Sequence, residues 1–176
     1  MKILLHICCG PCLIFPLKVL RGEGHEVKGL FYNPNIHPRL EYKKRLETLL
    51  AYAGQQKLDV DHPEDYPFEK FLKNVVSREE ERCFLCYSMR LEFAAQEAEA
   101  RNFEGFTTTL LYSKYQKHDM IKDIGEAMAR KYHVAFLYCD FRSGWSEGIR
   151  LSKAAGMYRQ QYCGCIYSEN ERYAGS

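Results

Sequence analysis

The chain has 176 residues, of which 46% are hydrophobic, and its formal net charge at pH 7 is +2. This length and composition predict a single globular domain, residues 1–176, that is large enough to bury a hydrophobic core. The small positive charge permits a nucleic-acid partner without requiring one. The N-terminal apolar run is too short for a signal peptide, and no apolar run is long enough to cross a bilayer, so we expect a cytoplasmic protein without a membrane span.

Hydrophobic periodicity and turn residues predict strands that alternate with helices along the chain. Strands are predicted at residues 2–7, 27–32, 58–61, 106–111 and 134–138. Helices are predicted at residues 13–20, 42–53, 66–82, 83–104, 119–131 and 145–156, and the tail from Met157 is predicted to be a loop. The alternation is typical of a doubly wound, Rossmann-like α/β fold, with a mainly parallel five-stranded sheet and helices on both faces.

Cysteine is the residue that most distinguishes this sequence, which contains eight of them. Structural disulfides are rare in a reducing compartment, so metal binding or thiol chemistry is favoured. Seven cysteines fall in three tight groups, which are Cys8, Cys9 and Cys12; Cys83 and Cys86; and Cys163 and Cys165. Thiolates at this spacing can bind one soft metal centre, which leaves an iron–sulfur cluster, a structural zinc and dithiol chemistry open. Cys139 stands apart and is interpreted as a small residue at a strand end.

Three of the candidate segments follow predicted strands directly. In doubly wound folds, ligands bind beyond the carboxyl ends of the strands, near the point where the strand order reverses. The first cysteine group follows strand one, Tyr112 to Tyr115 follow strand four, and Asp140 follows strand five. We therefore expect these segments to converge on one metal site. Asp140 is interpreted either as a cap of the next turn or as an oxygen ligand of an iron.

Tyrosines in the predicted loops are interleaved with cations, a pattern that suits a single-stranded or flipped nucleobase but is also typical of an ordinary amphipathic surface. The candidate substrate-binding residues are Tyr32, Asn33, Tyr115, Arg142, Tyr158 and Arg159. Tyr112, Tyr115 and Lys153 are candidate proton donors by predicted position alone. Cys9-Gly10-Pro11-Cys12 occupies the place of a glycine-rich phosphate loop, so the sequence does not support ATP use.

Four segments together resemble the cobalamin-independent epoxyqueuosine reductases, the QueH family. They are His6-Ile7-Cys8-Cys9-Gly10-Pro11-Cys12, Cys83-Phe84-Leu85-Cys86, Asp140-Phe141-Arg142, and Ser152-Lys153 through Tyr158-Arg159-Gln160-Gln161-Tyr162-Cys163-Gly164-Cys165. The resemblance extends over essentially the whole chain and departs at Gly10, where alanine is expected in many members. It implies an α/β sandwich like that of the nucleotide-α-hydrolase group, with cysteines where the phosphate loop would lie.

The resemblance also implies an activity. The expected reaction reduces the epoxide of epoxyqueuosine, in the anticodon loop of tRNA, to the alkene of queuosine. The implied cofactors are a [4Fe–4S] cluster and a second, mononuclear iron, supplied with electrons by an external donor. Cys83 and Cys86 would be cluster ligands together with cysteines of the other two groups, and the remaining cysteines would hold the second iron with Asp140. A tRNA thiolation enzyme and a zinc-stabilised tRNA-binding module are the alternatives.

Overall fold

The computed structural model describes residues 1–175. Its centre is a five-stranded sheet with the order β3-β2-β1-β4-β5, in which every neighbouring pair is parallel. The strands are β1 (Lys2–His6), β2 (Glu26–Leu30), β3 (Val60–Asp61), β4 (Gly105–Thr108) and β5 (Ala135–Phe136). The predicted parallel α/β sheet is therefore confirmed, and β1 lies at its middle.

Helices cover the sheet in two layers. They are α1 (Gly10–Gly22), α2 (Arg39–Gln55), α3 (Phe68–Val75), α4 (Arg82–Ala100), α5 (His118–Tyr132), α6 (Trp145–Ala154) and α7 (Ile166–Tyr173). Helix α1 packs with α2 and α6, whereas α4 packs with α3 and α5. The strand order runs one way from β1 to β3 and the other way from β4 to β5, so right-handed crossovers place these layers on opposite faces. No helix within residues 1–175 is both long enough and apolar enough to cross a membrane.

The composition of β1 explains its central position. Ile3, Leu4 and Leu5 are fully buried, as expected for a parallel strand that is covered on both faces. Residues of β1 pair with β2 on one side and with β4 on the other. The strand order reverses between β1 and β4, so their carboxyl ends form the edge at which doubly wound folds bind ligands.

Two boundaries near this edge differ from the prediction. Strand β4 ends at Thr108, because the side-chain oxygen of Thr108 accepts a hydrogen bond from the backbone N–H of Leu110 and caps a 3₁₀ turn, Thr109–Tyr112. The threonine-rich run at residues 106–111 predicts a strand that continues to residue 111. Helix α1 begins earlier than predicted, with Pro11 in its first turn, where the missing N–H of proline leaves no hydrogen bond unmade.

Other differences lie in the connections. The helix predicted at 66–82 is wrong, because α3 ends at Val75 and Ser77 adopts a φ of 67° before a separate 3₁₀ turn, Glu79–Glu81. Helix α5 begins at His118, one residue before the predicted start, and Lys117 occupies its cap position. Helix α7 lies in the tail that was predicted to be a loop.

Candidate functional site

A cavity of about 570 Å³ opens at the carboxyl ends of β1 and β4. Its walls come from the β1–α1 junction, the turn after β4, α4, α6 and the segment 159–163. Cys8, Cys12 and Cys163 all line it, so two of the three cysteine groups of the sequence meet at one cavity. This position, beside the reversal of strand order, is the one that the topology predicts.

Cys8, Cys9 and Cys12, here called the triad, form the tightest thiol cluster. Their sulfur atoms all lie within 4.8 Å of one another. Cys9 is extended at the N-cap of α1 and Cys12 lies in the first turn, so the strand-to-helix junction alone brings the three thiols together. Cys9 and Cys12 are buried, whereas Cys8 is half-buried and faces the cavity. Three converging thiols form a donor set for a soft metal ion.

The three thiols of the triad differ in the direction of their pKa shifts. Hydrogen bonds from Cys12 and Cys9 hold the pKa of Cys8 well below its usual value, against the effect of burial. The hydroxyl of Thr109 adds a further hydrogen bond to the Cys8 sulfur at 3.3 Å. Burial raises the pKa of Cys9, and the hydrogen bonds to Cys8 and Cys9 raise the pKa of Cys12. Of the three thiols, Cys8 is therefore the one that loses its proton most readily.

Cys83, Cys86, Cys163 and Cys165, here called the helix–tail group, come from the start of α4 and the segment before α7. Burial raises the pKa of Cys86 to about 12, and the negative charges of Cys163 and Cys165 add to that rise. The pKa of the nearby Tyr87 is raised chiefly by burial, with contributions from Cys163, Cys83 and Cys86. These thiols therefore influence one another electrostatically, although among the described residues only the triad forms a group of three or more such side chains whose ligand atoms all lie within 4.8 Å of one another.

The tail half of this group is held by a buried arginine. Arg45 donates hydrogen bonds to the backbone carbonyls of Tyr162 and Cys163, both at 3.0 Å. Glu41 accepts a hydrogen bond from Arg45 at 2.7 Å and neutralises its charge. The backbone N–H of His37 donates to the carbonyl of Gly164 at 2.7 Å. The tail segment is therefore fixed to α2 and to the loop after β2, even though it has no regular structure of its own.

Three aromatic side chains, here called the aromatic wall, line the same cavity as the thiols. Tyr112, Tyr115 and Trp145 line it, with the Trp145 ring centroid 5.2 Å from that of Tyr112 and 5.6 Å from that of Tyr115. Tyr112 is buried and donates a hydrogen bond to the carbonyl of Trp145 at 3.1 Å, whereas Tyr115 is 85% exposed. Burial raises the pKa of Tyr112, so its phenol stays protonated at neutral pH. Gly148 has no side chain where the Tyr112 hydroxyl packs against α6.

The structure brings only some of the predicted substrate-binding residues to the cavity. Tyr115 and Arg159 line it. Tyr32 is buried and stacks on Phe93 with a centroid distance of 3.9 Å, so its ring is part of the core. Asn33 is buried and donates to the carbonyl of Ile7 at 2.9 Å.

Two further predicted residues lie away from the cavity lining. The hydroxyl of Tyr158 donates to Glu41 at 2.6 Å, and Lys153 is exposed on α6. Their predicted roles, like those of Tyr32 and Asn33, stay predictions.

Asp140 and Arg142 form a pair of their own. The Asp140 carboxylate accepts hydrogen bonds from Nε of Arg142 at 2.8 Å and from its backbone N–H at 3.0 Å, and it caps the 3₁₀ turn Phe141–Gly144. The bond to Arg142 holds the pKa of Asp140 at about 2. The interpretation of Asp140 as a cap is confirmed. Neither residue is part of the cavity lining, and the role of Asp140 as an iron ligand stays a prediction.

Several side chains that contact the sulfurs were not predicted from the sequence. Nε2 of Gln160 lies 3.0 Å from the Cys9 sulfur, Nε2 of Gln116 lies 3.4 Å from the Cys163 sulfur, and Nη1 of Arg90 lies 3.6 Å from the Cys86 sulfur. One signal was available, because Cys86 and Arg90 are four positions apart on a predicted helix and so share a face. Trp145, the single tryptophan of the chain, was also overlooked as a cavity residue.

Comparison with known proteins identifies the family of the chain. The family model described as "Epoxyqueuosine reductase QueH" matches residues 3–171. The protein named Epoxyqueuosine reductase QueH from Dehalococcoides mccartyi is 37% identical over 172 residues, which cover 98% of this chain and 94% of that protein. The protein of the same name from Thermotoga maritima is 40% identical over 180 residues, which cover 97% of this chain and 91% of that protein.

A solved structure supports the fold alone. It is described as a predicted subunit of tRNA methyltransferase from Methanocaldococcus jannaschii, and it matches with a TM-score of 0.56 at 12% identity. The match covers 87% of this chain and 74% of that one. The family model and the sequence relatives, which span nearly the whole chain, show that the chain belongs to the epoxyqueuosine reductase QueH family of oxidoreductases.

Proposed function

We propose that this protein reduces the epoxide of epoxyqueuosine in the anticodon loop of tRNA to the alkene of queuosine. The reaction consumes two electrons and two protons, breaks both carbon–oxygen bonds of the epoxide, forms a carbon–carbon double bond and releases water. The observation that carries the proposal is that Cys8 and Cys12 of the triad and Cys163 of the helix–tail group line one cavity, in a chain of the QueH family. An external one-electron donor supplies the electrons in two steps.

The donor set fits an iron–sulfur cluster and a second, mononuclear iron. A structural zinc needs four ligands in a closed shell, whereas seven cysteines belong to the two groups here. In this proposal the helix–tail group holds a [4Fe–4S] cluster through its four thiols. The triad holds the second iron, because its sulfurs already lie within 4.8 Å of one another. When bound, these groups would supply the electrons and a Lewis acid for the departing oxygen.

The aromatic wall would bind the modified base. Tyr115 and Trp145 present ring faces and edges at the cavity, and stacking of a base on an aromatic side chain contributes roughly 1–3 kcal/mol. The cavity volume of about 570 Å³ is within the range of pockets that enclose a small ligand. A base that has left the stack of the anticodon loop would therefore place its cyclopentane ring toward the thiols. Arg159 at the cavity is available for a phosphate of the same loop.

Tyr112 is the candidate proton donor that lies closest to this arrangement. Its phenol lines the cavity, and burial keeps it protonated at neutral pH by raising its pKa. In this proposal Tyr112 donates one proton to the departing oxygen, and water supplies the second. Of the other two candidates, Tyr115 lines the cavity but is 85% exposed, and Lys153 is exposed on α6.

The proposal is tested by an anaerobic assay. Reduced, iron-loaded protein is incubated with tRNA that carries the epoxide base, and the digested nucleosides are analysed by mass spectrometry. The expected product has lost one oxygen atom. Cys139→Ala is the matched control, because Cys139 does not line the cavity and its variant should retain full activity. A fully loaded protein that leaves the base unchanged would contradict the proposal.

Metal analysis separates the remaining alternatives. Protein purified without oxygen should contain iron and acid-labile sulfide in comparable amounts. Zinc alone, under conditions that preserve clusters, would instead indicate a zinc-stabilised tRNA-binding module. A thiolated base in the assay above, rather than a deoxygenated one, would indicate a tRNA thiolation enzyme.

A further inference from the structure

Arg90 is buried in α4 and contacts a sulfur of the helix–tail group. Helix α4 carries it one turn beyond Cys86, so its side chain reaches back toward the carboxyl end of β1. Its Nη2 donates a hydrogen bond to Oδ1 of Asn33 at 2.7 Å, and its Nη1 lies 3.6 Å from the sulfur of Cys86. Its Nε lies 3.4 Å from Nε2 of His6. The guanidinium also lines the candidate cavity.

Arg90 is a buried cation without a carboxylate partner. Only 2% of its surface is exposed, and within residues 1–175 no carboxylate oxygen lies within the 4.0 Å of an ion pair. Its polar neighbours, Asn33 and His6, carry no negative charge. His6 is fully buried, with its Nδ1 2.8 Å from the hydroxyl of Thr108 and its Nε2 3.1 Å from the carbonyl oxygen of Tyr32. A buried charge is costly unless an opposite charge compensates it, and the remaining candidates for that charge are the thiols.

The other buried arginine of the site gives the contrast. Arg45 is equally buried, but Glu41 lies 2.7 Å from its Nε and compensates its charge. Arg45 instead holds the tail in place, because it donates hydrogen bonds to two backbone carbonyl groups of that segment. Arg90 has no carboxylate partner among the described residues, and its Nη1 lies 3.6 Å from the sulfur of Cys86.

We propose that Arg90 is the fixed counter-charge of the thiolate-bound cluster and raises its reduction potential. This inference rests on the cluster of the proposed function. One-electron reduction adds a negative charge to the cluster, and a positive charge held nearby in a poorly solvated site stabilises the reduced form more than the oxidised form. Arg90 contacts no reacting atom, so it is a positioning residue whose effect is electrostatic. Its function is to bring the cluster within reach of a weaker one-electron donor.

The test is a redox titration of the iron-loaded protein with mediator dyes, followed by absorbance and electron paramagnetic resonance. Arg90→Met removes the charge, whereas Arg90→Lys keeps it and loses only the planar fork. Asn33→Asp cancels the charge with a carboxylate of nearly the same shape and leaves the arginine in place. Lys131→Met is the matched control, because it removes one unit of charge from an exposed ion pair with Glu92 that solvent screens.

We expect Arg90→Met to lower the ratio of reduced to oxidised cluster at a given potential by at least about tenfold, which is about 59 mV for a one-electron couple. Asn33→Asp should shift the ratio in the same direction, and Arg90→Lys and Lys131→Met should stay near the unaltered protein. An unchanged potential in Arg90→Met would overturn the inference. If Arg90→Met does not retain a cluster, the test rests on Asn33→Asp. An unchanged reduction potential in that variant would then overturn the inference.

The proposed function fails by a different measurement. Unaltered protein that holds a cluster but leaves the epoxide intact would contradict the activity, while the potential shift of Arg90→Met would still stand. Unaltered protein that binds no cluster under anaerobic reconstitution would overturn the inference as well.

Discussion

The triad and the helix–tail group are built in different ways, although both contribute to the lining of the same cavity, through Cys8 and Cys12 of the triad and Cys163 of the helix–tail group. The triad comes from five consecutive positions at one strand-to-helix junction, so the local backbone sets the distances between its sulfurs. The helix–tail group joins the start of α4 to a tail segment that Arg45 and the loop after β2 hold in place. Cys163 of that group is exposed, whereas the deepest triad residue, Cys9, is only 1% exposed.

This difference indicates how each group responds to change. A junction of a buried strand and a helix is rigid, so the triad should keep its shape whether or not a metal is bound. The helix–tail group depends on tertiary contacts, and a bound cluster would tie its two halves together. Metal binding to such a group stabilises the fold by linkage, because the unfolded chain lacks the site.

The largest effect is expected from Cys86→Ala. If the helix–tail group holds the cluster, this variant should lose all acid-labile sulfide and roughly four of five irons per chain. Iron and sulfide analysis after anaerobic reconstitution measures this, with Cys139→Ala as the matched control. Full retention of sulfide would show that the cluster lies elsewhere.

Cys9→Ala should have a smaller and different effect. Because the triad is proposed to hold a single iron, the variant should lose about one iron per chain and keep the sulfide and the visible absorbance of the cluster. The same metal analysis applies. Loss of sulfide together with iron would mean that the two groups share one cluster and that their separation is wrong.

Arg45→Met tests whether the tail depends on its tertiary contacts. Removal of one partner from a buried ion pair leaves Glu41 uncompensated, and such changes cost about 3–5 kcal/mol. We expect a loss of this size in the free energy of unfolding of the metal-free protein, measured by urea titration. The control Lys43→Met breaks an exposed pair with Glu47 on the same helix and should cost less than about 1 kcal/mol. Equal losses in the two variants would contradict the assigned role of Arg45.

The smallest effect is expected from Asp140→Ala. Arg142 already binds the Asp140 carboxylate, and the residue lies outside the cavity lining, so we expect the iron content to stay unchanged. Iron analysis of the reconstituted variant measures this. Loss of about one iron per chain, with the cluster absorbance retained, would instead identify Asp140 as a ligand of the second iron, as the sequence analysis predicted.

The fold and the position of the site follow from local patterns in the sequence. The buried run of β1 and the alternation of strands with helices predict a parallel sheet, and the place of Cys8, Cys9 and Cys12 just beyond β1 predicts the edge at which the site lies. Local patterns were insufficient where a side chain competes with the backbone. Thr108 caps a turn where β-branched residues predict strand, and Ser77 ends a charged helical pattern.

The directions of the side chains around the site could not be predicted from the sequence. Tyr32 and Asn33 follow β2 at the correct edge, yet the ring of Tyr32 packs on Phe93 and the amide of Asn33 satisfies buried polar groups. Arg90 was overlooked because a lone arginine on an amphipathic helix is usually solvated. Only the three-dimensional neighbourhood shows that it is buried beside sulfur.

The central claim is that electrons held at the thiol-bound metals reduce an epoxide in tRNA. A single-turnover experiment tests it most directly. Iron-loaded protein is reduced and freed of excess reductant without oxygen. It is then mixed with less than about half an equivalent of tRNA that carries the epoxide base, because each cluster stores one electron and each epoxide consumes two. We predict that mass spectrometry detects a nucleoside that has lost one oxygen, while the absorbance of the oxidised cluster returns. An unchanged nucleoside with a fully loaded and fully reduced cluster would contradict the account.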